Sequence, residues 1–349
     1  MRLTPAEVAA TAQWIAGWQL DNGMIPWFPG GHADPWNHVE ATMALAVAGR
    51  WAEAERALGW LAASQHPDGS WCRYYLAEGV EDPRRDVNVC AYVATGAWYV
   101  YLVAGDRQVL EAMWPVVDRA MGFVLRLQQP GGEVLWSMEP DGTPARFALL
   151  TGSSSVHHSL RCAVAIAAEL GQERPEWELA AGRIAHAVIH REDSFEPKVR
   201  WAMDWYYPVL CGALSGAAAR ARLLDRWNVF VLEGVGVRCV SDQPWVTAAE
   251  TSECVMALEA SGLRSEAETL LEGTRHFRDA DGGYWTGCVH PQCVRFPGGE
   301  RSTYTAAAVL LADHALYGEG AAAGLFRGET LPAVLDLSEV EEPGLTGRP

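Results

Sequence analysis

Gln65-His66-Pro67-Asp68-Gly69-Ser70-Trp71 closes one apolar helical stretch, and similar punctuation returns three more times along the chain. The related turns are Gln19-Leu20-Asp21-Asn22-Gly23, Gln128-Gln129-Pro130-Gly131-Gly132 and Arg278-Asp279-Ala280-Asp281-Gly282-Gly283-Tyr284-Trp285. In each, a glycine supplies the left-handed backbone that stops a helix. An aromatic residue that follows can pack across a hairpin. Between the turns, Trp51 to Gln65, Val87 to Ala104 and Gln108 to Leu127 carry apolar residues three and four apart. That is the spacing of a helix with one buried face.

Working outward, the periodicity predicts about twelve helices, near 5–19, 36–48, 51–65, 87–104, 107–128, 155–170, 174–190, 205–214, 216–232, 246–261, 264–278 and 303–316. Clean strand alternation is rare, and no sheet of more than about four strands is expected. A helical hairpin cannot bury its own apolar face, so repeated hairpins must stack. Six of them, with long loops on one side, point to an all-α protein closed into an (α/α)6 toroid. An open solenoid is the alternative, and it calls for more uniform repeat lengths. We expect one domain over residues 1–317, followed by a tail over 318–349 with the acidic run Glu339, Glu341 and Glu342.

Composition narrows the function. The net charge of −17 repels phosphate backbones and anionic lipid surfaces, which argues against a nucleic-acid or membrane-surface partner. No uninterrupted apolar run reaches the roughly 18 residues of a membrane span. Met1 to Trp18 reads as an amphipathic helix with Glu7 inside it rather than an export signal. The eight cysteines, among them Cys90 and Cys162, sit largely inside apolar helical runs. They read as small buried hydrophobes in a reducing, cytoplasmic compartment.

Two resemblances follow from these residues. Gln65-x-x-x-Gly69-x-Trp71 is similar to the repeat motif of the terpenoid-cyclase and protein-prenyltransferase toroids. Gly105-Asp106 leading to Met113-Trp114-Pro115-Val116-Val117 resembles the six-hairpin glycosidases, as in the glucoamylase and amylo-glucosidase families. Asp141-Gly142 leading to His158-Ser159, and the stretch from Trp245 to Ala315, resemble them too. The second resemblance implies sugar chemistry, with departures. Glucoamylase-like enzymes carry a catalytic Glu soon after the mid-chain Asp-Gly, and Asp141-Gly142-Thr143-Pro144-Ala145-Arg146 has none. They carry another after the last glycine turn, where this chain reads Gly283-Tyr284-Trp285-Thr286-Gly287.

In a closed toroid the loops that feed the inner helices line one mouth. The segments falling there are rich in acids and rings: Trp27 to Glu40, Tyr74 to Asp86, Thr151 to His158, Trp201 to Tyr207, Asp242 to Glu253 and Glu300 to Tyr304. Acids and hydroxyls at helix starts are also ordinary caps. Their joint occurrence with Trp, Tyr and His is what marks a site. Aromatic walls with a few acids suit sugar stacking, or equally a cationic hydrocarbon.

Glycoside chemistry needs two facing carboxyls, one protonated and one ionised. The candidates are Asp204, Glu250, Glu253, Glu300, Glu40 and Asp86. Glu250 and Glu253 share a helix face. Trp36, His38, His158, Trp205, Tyr206, Trp245, Tyr304 and Trp285 are the candidate substrate contacts. His157-His158 also resembles the acid/base pair of the sugar 2-epimerases that share the toroid, although adjacent residues point to different faces. No cofactor or metal is expected. Cys288-x-His290-x-x-Cys293 has tolerable zinc spacing but lacks an obvious fourth ligand, unless His276 or Asp281 comes in. The expected function is a carbohydrate-active enzyme, a glycoside hydrolase or related sugar-processing enzyme acting on an oligosaccharide or glycoside. A prenyltransferase or terpene-cyclase-like enzyme is the first alternative, although no Asp-x-Asp-Asp run is present. A non-catalytic glycan- or partner-binding toroid is the second.

Overall fold

In a computed structural model, residues 2–335 and 337 are described. The acidic run Glu339, Glu341 and Glu342 lies outside the described residues. Among the described residues, fourteen helices account for the predicted twelve: α1 (Pro5–Ala16), α2 (Pro35–Val47), α3 (Trp51–Ser64), α4 (Val87–Ala91), α5 (Val93–Ala104), α6 (Arg107–Leu125), α7 (Leu150–Glu169), α8 (Pro175–His190), α9 (Ala202–Leu210), α10 (Gly216–Asp225), α11 (Trp227–Phe230), α12 (Ala248–Ala260), α13 (Arg264–Gly273) and α14 (Thr303–Tyr317). The predicted 87–104 helix is broken at Tyr92 into α4 and α5, and the predicted 216–232 helix at Arg226 into α10 and α11.

The inner helices touch in the order α2, α5, α7, α9, α12, α14 and back to α2, so the ring closes. Nearly every side chain of α2, α7, α12 and α14 is buried, because these helices pack on both sides and inward. The outer helices α3, α6, α8 and α13 show a single apolar stripe. Val87–Ala104 has the length and mean hydropathy of a membrane span, yet 78% of it is buried, which makes it a core helix of the ring.

The glycine turns hold one outer helix to the next. The Gln19 side-chain amide donates to the carbonyl of its own Gly23 at 3.0 Å and to the Glu53 carbonyl of α3 at 2.9 Å. Gln65 does the same to Gly69 and to Val116 of α6, and Gln128 to Gly132 and to Ala180 of α8. Each amide thus satisfies a turn carbonyl and a helix carbonyl together. The glycine itself presses on the neighbouring backbone. A Cβ at Gly23, Gly69 or Gly132 would fall 2.1, 2.0 or 2.2 Å from the carbonyl oxygens of Arg56, Arg119 and Arg183. The last turn sits on the first helix, with a Cβ at Gly282 only 2.6 Å from the Ala10 oxygen of α1. This repeat closes what began as a local pattern.

The expectation of few strands needs correction. Besides two short pairs, β1 (Tyr74–Leu76) with β2 (Gly79–Asp82) and β3 (Arg85–Asp86) with β4 (Ser137–Met138), there is a five-stranded antiparallel sheet. It runs β5 (Val231–Leu232), β6 (Gly236–Arg238), β7 (Trp245–Thr247), β8 (Trp285–Val289) and β9 (Val294–Arg301). Four of the five strands have five residues or fewer, too short to show an alternation in the sequence. The sheet is built from the loops before α12 and α14. It walls the mouth and leaves the helical ring intact. Elsewhere on the ring, Ala321–Gly324 forms a 3-10 turn against α5 and α14, and Phe326 stacks on His158.

If the close approach sets the spacing of outer helices, Gly69→Ala costs well beyond the ~1–2 kcal/mol of a left-handed backbone alone. Gly142→Ala, at φ +87° with open space around it, costs only that amount. Denaturant unfolding of the two variants measures the difference, and equal losses would remove the role given to the close approach.

Candidate active site

Six inner-helix N-termini open into one cavity of about 750 Å³. The local sequence explains why polar groups gather there. Asp34 is the N-cap of α2, its carboxylate accepting the Asn37 N–H at 3.0 Å, and Asp86 occupies the N-cap position of α4. Thr151, Asp204, Glu250 and Tyr304 stand in the first turns of α7, α9, α12 and α14. Capping and the positive helix ends favour acids at these positions, and the toroid aims all six ends at one space.

The cavity is lined by all six predicted acids: Glu40, Asp86, Asp204, Glu250, Glu253 and Glu300. Of the predicted contacts, Trp36, Trp245 and Tyr304 also line it. Trp36 stacks on Tyr92 at 4.4 Å between centroids, and its indole N–H donates to Glu40. Trp245 stacks on Phe296 of β9 at 4.9 Å.

The other five predicted contacts lie elsewhere. His38 is buried behind α2, where Nδ1 accepts from the Ile25 N–H and Nε2 donates to the Ala57 carbonyl, so it ties the first hairpin together. Burial pushes its pKa down to about 4. His158 is buried against Phe326, with a pKa pushed down to about 3 by burial. Neighbouring His157 donates through Nδ1 to the Ala181 carbonyl of α8. Trp205 stacks on Phe230 and donates to the Arg222 carbonyl. Tyr206 lies behind the wall and donates to Glu253. Trp285 is flanked by the guanidinium groups of Arg295 and Arg301. Among the described residues, no three His, Cys, Asp or Glu side chains are placed to hold a metal ion, the Cys288 to Cys293 segment included.

Sequence reading placed Asp34 within the Trp27 to Glu40 mouth segment but did not include it among the candidate acids, and it lines the cavity. Sequence reading also missed Arg73, Trp136, Trp201 and Phe296, which reach the cavity from loops and strands.

Helix order sorts the acids into two groups. Asp34, Glu40 and Asp86 belong to α2 and α4. Asp204, Glu250 and Glu253 belong to α9 and α12, with Glu253 near enough to Glu40 for its charge to act there. Burial raises the pKa of all six, and the partners that oppose it differ. Burial raises the Glu250 pKa, with only a Thr247 hydroxyl interaction and its own backbone N–H opposing it. Glu253 is pushed up to about 7 by burial, against the stabilising hydroxyls of Tyr206 and Tyr207. Glu40 is raised well above the usual carboxylate range by burial and then by the Glu253 charge.

Asp86 is raised to about 6 by burial, even though Arg73 Nε lies 3.1 Å from its carboxylate. Asp204 is raised by burial and accepts the Thr151 hydroxyl at 2.7 Å. Asp34 is raised by burial, but it accepts three hydrogen bonds, from Asn37 N–H, Asn37 Nδ2 and the Trp27 indole. These three donors oppose the effect of burial and favour the charged form, although burial remains the larger influence.

No protein-family model matches the chain. The MMP endo-(1,4)-3-O-methyl-alpha-D-mannosidase of Mycolicibacterium hassiacum is 50% identical to it over 334 residues, which are 96% of this chain and 92% of that protein. Solved structures with the same fold include a glycosidase in complex with glucose, at TM-score 0.69 and 15% identity over 89% of this chain and 98% of the other. They also include the mannosylglycerate hydrolase of Thermus thermophilus, bound to Tris and D-glycerate, at TM-score 0.68 and 14% identity over 87% and 99%. A D-mannose isomerase aligns at TM-score 0.65 and 11% identity over 88% and 96%. At such identities these structures establish the six-hairpin fold. The comparisons favour the sugar reading over the isoprenoid and non-catalytic ones.

The raised pKa of Glu253 has a consequence for stability. The folded state holds this proton up to about pH 7, whereas the unfolded chain releases it near 4.5. Its cost to folding is therefore absent below about pH 4.5 and grows as pH rises to about 7. Relative to wild type, Glu253→Gln should gain stability over that window. Thermal unfolding across the same window tests this, and a constant difference between the proteins would show that Glu253 does not carry the shift.

Proposed function

We propose, because this chain belongs to the family of the Mycolicibacterium hassiacum endo-(1,4)-3-O-methyl-alpha-D-mannosidase, that it hydrolyses internal α-1,4 linkages of a 3-O-methylated mannan. It is a carbohydrate-active enzyme of the (α/α)6 class and a glycoside hydrolase. The observation that carries the finer reading is one aromatic cavity lined by carboxyls from α2, α4, α9 and α12.

Glu250 is the general acid on this reading. It lines the cavity half-buried, desolvation raises its pKa and no cation opposes that rise, which suits a group that must deliver a proton. It gives that proton to the glycosidic oxygen as the C–O bond breaks. Asp34, at the N-cap of α2 with three donors supporting its charged form, serves as the partner carboxylate. It takes a proton from the water that attacks the anomeric carbon, or bonds to that carbon before water releases the sugar. Asp86 is neutralised by Arg73, and Glu40 is held towards its neutral form, so neither is as well suited to that role.

The wall suits a methylated sugar. Trp27, Trp36, Trp136, Trp201, Trp245 and Phe296 offer apolar faces for ring C–H groups and O-methyl groups, while the acids receive the remaining hydroxyls. The described cysteines are all unpaired, which supports a place in the reducing cytoplasm.

Assays on methylated and unmethylated α-1,4-mannooligosaccharides test the reading. Glu250→Gln and Asp34→Asn should each lose about 10²-fold or more in kcat. Asp34→Asn should still fold, since Asn caps a helix as well as Asp. Asp204→Asn, whose carboxylate is engaged by Thr151, should lose less than about 10-fold. Full activity in Glu250→Gln would overturn the assignment. Proton NMR of the first anomer released decides between direct displacement by water and a covalent intermediate.

A further inference from the structure

The cavity does not end at its wall. A groove of about 640 Å³ runs off it between residues 146–148 and 192–199, and a hollow of about 500 Å³ continues against α10. Asp204 lines all three spaces, and Lys198 lines both the cavity and the groove. The three spaces therefore adjoin at Asp204.

Its surface is unusual for solvent-facing chain. Phe147 is 41% exposed and Val199 57% exposed, and both border the groove. Trp201, 44% exposed and two residues beyond Val199, lines the adjoining cavity. These side chains come from two separate loops, yet they flank one channel. Single exposed apolar residues are ordinary, whereas several along one path mark a binding surface. Between them, Glu192, Lys198 and Arg222 supply polar atoms along the floor. Apolar platforms alternating with hydrogen-bonding groups match a polysaccharide, which presents C–H faces and hydroxyl edges in turn.

We infer that this groove is a distal subsite that holds several further units of the carbohydrate chain on one side of the scissile linkage. The inference rests on the glycosidase reading above and names how that site handles length. An enzyme that cuts inside a polymer must grip the chain beyond the residue at the cleavage point, and the groove offers that grip.

Phe147→Ala and Val199→Arg test it, the first removing a platform and the second blocking the channel with an exposed charge. Initial rates are measured on α-1,4-linked 3-O-methylmannose oligosaccharides of graded length and on the polymer. In wild type, kcat/KM should rise with chain length until the groove is filled. In the variants, the longest substrates should lose about 5- to 10-fold, on the scale of one aromatic contact, while the shortest cleaved substrate changes less than about twofold. Calorimetric titration of the same oligosaccharides into Glu250→Gln, with and without the groove substitutions, gives the same comparison through binding. An unchanged length dependence in both variants would overturn the groove assignment while leaving the glycosidase reading intact. If wild type cleaves none of these mannosides and Glu250→Gln binds none, the glycosidase reading falls, and the groove assignment falls with it.

Discussion

A glycine pressed against the carbonyl of the next outer helix is the constraint from which the rest of this structure follows. At Gly23, Gly69 and Gly132 the approach leaves no room for a side chain, and at the same three turns a glutamine amide bridges to the same helix. This contact fixes the distance between hairpins. With that distance fixed at successive joints, the inner helices have one way to meet, as a closed ring. The ring in turn brings six helix starts together, and the cavity is the space they enclose.

That convergence explains why carboxyls with such different properties share a small volume. Each acid is acceptable locally as a cap or first-turn residue, where the helix end favours its charge. Burial opposes that charge, and the outcome is settled by immediate partners. Asp34 has three donors, Asp86 has Arg73, Glu253 has two tyrosine hydroxyls, and Glu250 has little besides Thr247. Similar places at helix starts thus give carboxyls whose charged forms are supported to different degrees. Differentiation of this kind is what acid and base chemistry requires of neighbouring carboxyls.

The fold was readable in the sequence because its cause is local. A glutamine, a glycine four residues on, and the helical spacing between turns are short-range signals, and they sit at the joints of the ring. The six acids were readable for a similar reason, as most belong to a helix start whose direction the toroid dictates. Distinguishing which ring systems face inward needed more. His38, Trp205 and Tyr206 share segments with true lining residues, and rotation about the helix axis puts them behind the wall. Trp136, Trp201 and Phe296 arrive on loops and short strands, which have no periodicity to read. Asp34 lay in a mouth segment without being singled out, and capping and a place in the cavity need the same residue.

The ring has a seam. Gly282 rests on Ala10, the Leu3 N–H donates to Asp313, and the Thr303 hydroxyl donates to the Pro26 carbonyl across 277 positions of chain. Every other joint links hairpins that follow one another in sequence. The seam alone must wait for nearly the whole polypeptide, so its loop-closure entropy is the largest in the molecule. The α2–α14 contact is the one whose loss turns the ring into an open coil. Trp36 and Tyr304 stand on either side of it, inside the cavity.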